Sequence, residues 1–182
     1  MLTTFARERT FRPICTLRLY QAARGRSWGK LLTPFIKLAH RHVCARAAVD
    51  IPIELSIGPG LSLLHGWGTV INQKARIGSN VTLFHGVTLG RGDRISQEGV
   101  RTSGYPTIGD NVWIGPNATI VGDVTIGCGS RILAGAVITT DIPPRSMVAG
   151  NPARIIKENC APDVLNPAPL GATAVLRGES GS

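Results

Sequence analysis

Two short phrases, SLLHGWG (residues 62–68) and TLFHGVT (residues 82–88), each set a histidine behind two apolar residues and ahead of a glycine. The histidines, His65 and His85, are 20 positions apart. A neutral imidazole is the side chain best suited to take a proton from a hydroxyl group near pH 7. It needs the correct tautomer, which a carboxylate on its other nitrogen commonly fixes. Asp50, 15 positions before His65, offers such a carboxylate. The chemistry suggested is activation of an alcohol. A histidine satisfied at an interface is the plainer reading, and it stays open for both residues.

A period of six positions these groups. Ile108, Ile114, Ile120, Ile126, Ile132 and Ile138 recur at every sixth residue, and mostly small side chains follow four places on: Val112, Ala118, Val124, Ser130, Ala136 and Ile142. Upstream the same phase runs through Ile71, Ile77, Leu83 and Leu89, and earlier through Ile57 and Leu63. Six matches neither a helix nor a simple alternating strand. It is the signature of short strands coiled into a parallel β-helix, a prism with an aliphatic core. His65 and His85 each stand two residues after an inward leucine, a slot that points out of the prism. They are therefore expected one above the other on one outer edge.

The phase breaks twice. Leu63 to Ile71 is eight residues, so two extra residues sit around 66–70, where bulky Trp67 fills a slot suited to something small. Between Leu89 and Ile108 the repeat yields to a polar excursion, residues 91–107, and such loops commonly carry function. Residues 1–48 read as a short helical cap on a β-helix spanning 49–143, with a C-terminal segment 144–160 and a disordered tail 161–182. In the cap, Ile14, Leu17 and Leu19/Tyr20 fall at helical spacing. A second helix is expected to start with Thr33 as N-cap and Pro34 in its first turn, burying Phe35, Leu38/Ala39 and Val43. Its outer face would show Lys37, His40, Arg41 and Arg46.

Composition bounds the function. The 182 residues suit one domain, and 43% hydrophobic with 5% aromatic content means an aliphatic core. Four cysteines without C-x-x-C spacing read as free thiols of a reducing compartment. No apolar run approaches the ~20 residues of a membrane span, and no secretory signal is seen, so a cytoplasmic location is expected. The net charge is +9, and ten of the 20 Lys and Arg lie in residues 1–50 against Glu8 and Asp50 alone. No aromatic–basic interleaving or DNA-binding helix pair accompanies it, so nucleic acid is not expected. Peripheral contact with an anionic membrane, at its inner face, is the sharper reading; a solvated basic face is the plainer one.

The repeat resembles the left-handed β-helix of the hexapeptide acyltransferases, which assemble as trimers with active sites between subunits. From Asp50 through "GNPARIIK", about 110 residues, the chain resembles the serine acetyltransferases, with "DIPIELSIGPGLSLLH" and "VTLGRG" as the matching motifs. That resemblance makes His65 the general base and Asp50 its orienting partner. The acceptor hydroxyl would attack acetyl-CoA directly, without covalent intermediate or metal. It also implies Pro116 and Ala134 along the pantetheine arm, and Arg154 and Lys157 near the CoA phosphates. The positions that grip an amino acid in that family are Leu64 and Gly104–Tyr105 here, which leaves the site poorly equipped for L-serine.

The phrases "FRPICTLRLY", "LHGWGTVIN" and "FHGVTLG" resemble more narrowly the exopolysaccharide enzymes of colanic-acid type. The expectation is then O-acetylation of a sugar, free or lipid-linked, with His85, Leu64 and Tyr105 shaping the acceptor pocket. Serine O-acetylation is the alternative within the class, and no complex with cysteine synthase is expected. A carbonic-anhydrase-like zinc prism would need a third histidine on the coils, and a non-catalytic scaffold would not need the Asp50/His65 spacing.

Overall fold

The computed structural model describes residues 10–165, 167 and 168. Three parallel sheets form the faces of a prism. The first contains β1 (Ser56–Ile57), β4 (Arg76–Ile77), β9 (Thr107–Ile108) and β12 (Thr125–Ile126). The second stacks β2 (Ser62–Leu63), β5 (Thr82–Leu83), β10 (Trp113–Ile114), β13 (Arg131–Ile132) and β15 (Met147–Ala149), closed by antiparallel β16 (Arg154–Lys157). The third contains β3 (Val70–Ile71), β6 (Thr88–Gly90), β11 (Thr119–Val121) and β14 (Val137–Ile138).

Register explains the period. Ile57, Ile77, Ile108 and Ile126 align on the first face; Leu63, Leu83, Ile114, Ile132 and Val148 on the second; Ile71, Leu89, Ile120 and Ile138 on the third. These three aliphatic columns meet on the axis and are almost wholly shielded from water. Removing that apolar surface from solvent is the main driving force for folding. Val81, Val87, Val112, Ala118 and Ala136, also buried, fill the corners between them. Asn80, Asn111 and Asn117 sit there with φ of 57°, a left-handed conformation that asparagine tolerates better than most residues.

The excursion is the antiparallel hairpin β7 (Gly92–Ile95) and β8 (Arg101–Gly104). The parallel coil runs past residue 143 through β15. Part of the expected tail lies on the second face: Asp163 pairs with Arg131 at 3.0 Å, and the Ala168 N–H donates to Asn80 Oδ1 at 2.7 Å. Residues 166 and 169–182 of that tail, like residues 1–9 of the cap, lie outside the described residues.

The cap has two helices, α1 (Phe11–Ala23) and α2 (Ser27–Ala47). Leu17, Cys44 and Ala47 join the prism core and close its first coil. Two expectations for α2 need correction. It begins at Ser27, so Pro34 lies inside it, and the Thr33 hydroxyl donates to the Gly29 carbonyl at 2.8 Å rather than capping an end. Gly29 allows the earlier start, because a Cβ there would fall on the Ala23 carbonyl of α1.

The buried face is also different: it carries Ile36, His40, Cys44 and Ala47, whereas Phe35 and Leu38 are 70% and 67% exposed. His40, expected outside, is 3% exposed. Its Nε2 donates to the Ile51 carbonyl at 2.7 Å, and Nδ1 meets the Thr16 hydroxyl at 2.7 Å, so the residue joins both helices to the prism.

Candidate active site

The edge between the second and third faces is built by backbone rungs. Gly86 N–H donates to the Trp67 carbonyl at 2.8 Å, Asn117 N–H to that of His85 at 2.9 Å, and Gly135 N–H to that of Pro116 at 2.8 Å. Trp67, His85, Pro116 and Ala134 therefore stack in one column. Counted forward from the inward leucine, His65 has the same slot as His85. Counted by hydrogen bonds, Trp67 holds it. The two extra residues are taken up in a tight turn in which Trp67 N–H bonds the His65 carbonyl, with His65 at φ 52°.

This bulge throws the His65 ring outward; it is exposed and has no hydrogen bond among the described residues. His85 is half-buried, and its Nδ1 is shut from water without a partner among the described residues. The glycine after each histidine has a steric reason. A Cβ on Gly66 would run into the Leu63 side chain, and one on Gly86, at φ 67°, would fall on the Asn117 side-chain oxygen.

Asp50 lies on the third face, paired with Val70 in a single parallel bridge. Its N–H donates to the Thr69 carbonyl at 2.8 Å, and its own carbonyl accepts from Ile71 N–H at 2.9 Å. The carboxylate is on an exposed residue one coil from His65, and no hydrogen bond joins the two side chains. Leu64 is held on the histidine edge by its N–H donating to the Leu83 carbonyl at 2.8 Å.

Tyr105 belongs to another edge. It precedes Pro106, whose carbonyl accepts from Arg76 N–H at 3.0 Å, and its ring lies 4.9 Å from the Lys74 ammonium. Arg154 and Lys157 stand exposed on β16, at the far end of the second face. Within one chain, then, Leu64, His65, His85, Pro116 and Ala134 share an edge, whereas Tyr105 does not.

Two polar groupings were not anticipated. Asp93 anchors the hairpin, receiving Arg101 at 2.9 Å, Arg91 at 3.1 Å and the Ser103 hydroxyl at 2.7 Å. The Ser103 hydrogen bond, then the charges of Arg91 and Arg101, hold its carboxyl below the usual carboxylate range. Neither "GDRI" nor "RTSG" alternates apolar with polar residues, so the sequence carried no strand pattern for this hairpin. On the second face Phe84 and Trp113 pack with ring centroids 4.9 Å apart, and the Arg131 guanidinium lies 4.4 Å over Trp113. Here the signal was two aromatic residues at outward positions. Among the described residues, no group of three or more His, Cys, Asp or Glu could hold a metal ion.

Residues 105–140 match the bacterial transferase hexapeptide family, by its six repeats. Serine acetyltransferase 4 of Arabidopsis thaliana is 44% identical over 113 residues, 59% of this chain and 29% of the relative. The serine acetyltransferase of Mycobacterium tuberculosis is 36% identical over 141 residues, 72% of this chain and 59% of the relative. The structure of soybean serine acetyltransferase complexed with serine superposes with a TM-score of 0.68 at 34% identity, covering 84% of this chain and 59% of that one.

The protein is thus a hexapeptide-repeat protein, and the repeat with these structural neighbours implies a left-handed coil. More particularly, it is serine-acetyltransferase-like, although it spans 29% and 59% of the two curated relatives' lengths. This corrects the narrower expectation. The relatives and solved structure are serine acetyltransferases, so the resemblance to exopolysaccharide enzymes, and with it the sugar acceptor, is set aside. The inference from Leu64 and Gly104–Tyr105 treated these positions as one pocket. Within one chain they lie on different edges, so a single pocket lined by both would have to form between two copies.

Proposed function

We propose that the chain is an acetyl-CoA-dependent O-acetyltransferase acting on the hydroxyl of L-serine, working as a homotrimer with its reaction centres along the prism edges. One observation carries the reading: the bulged edge frees the His65 ring from its own chain, within a fold similar to serine acetyltransferases over most of its length. A neutral His65 takes the serine hydroxyl proton as that oxygen attacks the thioester carbonyl. Collapse of the tetrahedral adduct breaks the carbon–sulfur bond, and the imidazolium returns its proton to the departing CoA thiolate. No covalent enzyme intermediate and no metal is needed.

Asp50 is the proposed positioning residue. Both it and His65 are exposed on adjacent coils, and neither side chain is tied to another group among the described residues. Pro116 and Ala134 lie up the same column, where backbone groups can hold the pantetheine arm. Arg154 and Lys157 offer cations for the CoA phosphates. His85, with one nitrogen sealed, shapes the wall above the base, between it and Pro116. Leu64 and Tyr105 bring no ionic partner for serine, so its charged ends are met by other groups; for the carboxylate, Arg94 of the hairpin is exposed and has no partner among the described residues.

The test is to incubate the purified chain with acetyl-CoA and L-serine and to measure O-acetylserine by mass spectrometry. Product that depends on both substrates and disappears in His65→Asn is expected. Thioester turnover without acetylated serine would overturn the acceptor assignment.

A further inference from the structure

Helix α2 has two apolar faces, and the prism uses only one of them. Ile36, His40, Cys44 and Ala47 face inward. On the opposite side Trp28, Leu31, Leu32, Phe35 and Leu38 follow one another at helical spacing and are all exposed, Leu31 to 79%. Cations border this stripe. Arg24, Lys30, Arg41 and Arg46 are exposed, and the Arg26 guanidinium lies 5.6 Å from the Trp28 ring centre. Lys37, on the prism side of the helix, is bound to Glu54 at 2.6 Å; among the described residues no acid pairs with the cations that border the stripe.

Between Glu8 and Asp50 the sequence has no acidic residue. We propose that this face of α2 is a docking surface for an anionic lipid membrane, on which the helix lies flat with its apolar stripe in the headgroup boundary.

Charge complementarity selects this occupant. Two copies meeting through the stripe would bring the cations of one helix against those of the other, with no carboxylate on either to receive them. An anionic bilayer satisfies both halves of the surface: acyl chains take the stripe, and phosphates take the bordering Lys and Arg. The helix lies on the membrane rather than across it, since no helix among the described residues is long and apolar enough to span one. The hydrogen bonds of His40 and the Lys37–Glu54 pair tie the opposite side of α2 to the first coil, so docking leaves the prism intact.

The experiment uses the full chain. It is co-sedimented with phosphatidylglycerol-containing vesicles and with phosphatidylcholine vesicles, at about 0.1 M and about 1 M salt, where the screening length falls from about 10 Å to about 3 Å. Binding only to the anionic vesicles, about tenfold or more weaker at the higher salt, is expected. Leu31→Ser with Phe35→Ser should lose binding at both salts, and Lys30→Gln with Arg41→Gln should flatten the salt dependence. A sizing column without lipid is run on each protein.

Wild-type protein left in the supernatant under all four conditions overturns the proposal. So does equal binding to both vesicle types. A wild-type assembly that becomes smaller in the Leu31/Phe35 variant, without lipid-dependent sedimentation, would make the stripe a contact between copies and also overturn it. None of these outcomes bears on acetyl transfer.

Discussion

At the scale of single residues, accessibility separates the two histidines. A general base must be reached by the hydroxyl it deprotonates, and only His65 presents an open ring. The His85 Nδ1 is shut from water and can take no proton from a bound acceptor through that atom. His65→Asn is the informative change, because asparagine keeps the left-handed backbone that the bulge requires while removing the base. It should lower kcat by about 10²–10⁴-fold, with the KM for acetyl-CoA nearly unchanged. His85→Asn should cost less. Steady-state kinetics on both proteins check this, and the reverse ranking would exchange their roles. The edge position of His65 was legible because strict aliphatic phase leaves few orientations for the residues between. The two-residue bulge was legible in the eight-residue step from Leu63 to Ile71. What one dimension did not reveal is that Asp50 and His65 remain unjoined within a single chain. A separation of 15 residues fixes the coil on which each lies, but not the direction in which an exposed side chain points.

At the scale of elements, the repeat and the cap differ in how much their patterns can say. In the prism every inward position answers to one axis, so the isoleucine columns specify register directly. Helix α2 carries apolar residues on two sides, and periodicity cannot say which side packs. The larger side chains of Phe35 and Leu38 suggested the wrong one. The prism instead receives the small side chains of Cys44 and Ala47 with His40, which let the helix approach closely and meet the Ile51 carbonyl. Cys44 makes this packing testable. Burial pushes its thiol up from an ordinary 9.0 to about 11, and the nearby Asp50 charge adds in the same direction. The folded chain thus keeps a proton that the unfolded chain releases near its ordinary value. The resulting contribution to stability is complete below about 9 and is lost as pH rises from there through about 11. Urea unfolding of wild type and Cys44→Ala at pH values on either side of that window should show wild type losing more stability than the variant. Parallel losses would mean that the thiol is not shielded by the cap.

At the scale of the whole molecule, the separation of Tyr105 from His65 becomes a prediction about assembly. The hairpin springs from the edge between the third and first faces, and the histidines occupy the edge between the second and third. A solid prism lies between these edges, so one chain cannot bring both to the same acceptor. Neighbouring copies can, if the hairpin edge of one meets the histidine edge of the next. Trp67, 62% exposed beside His65, and exposed Val70 above Asp50 supply apolar surface for such a contact. In this head-to-tail arrangement each reaction centre takes His65 from one copy and Tyr105 from its neighbour. His65→Asn and Tyr105→Ala proteins should then each be impaired alone. Co-expressed, they should form mixed assemblies in which some centres receive both intact residues. Activity of the mixture should exceed the sum of the two variants measured apart, and serine turnover on co-purified, differently tagged chains would measure it. A site contained within one chain predicts no gain, because every copy would still lack one of its own groups. Co-purified mixed assemblies with merely additive activity would therefore exclude the shared centre. If Tyr105→Ala alone is as active as wild type, Tyr105 has no part in the acceptor site.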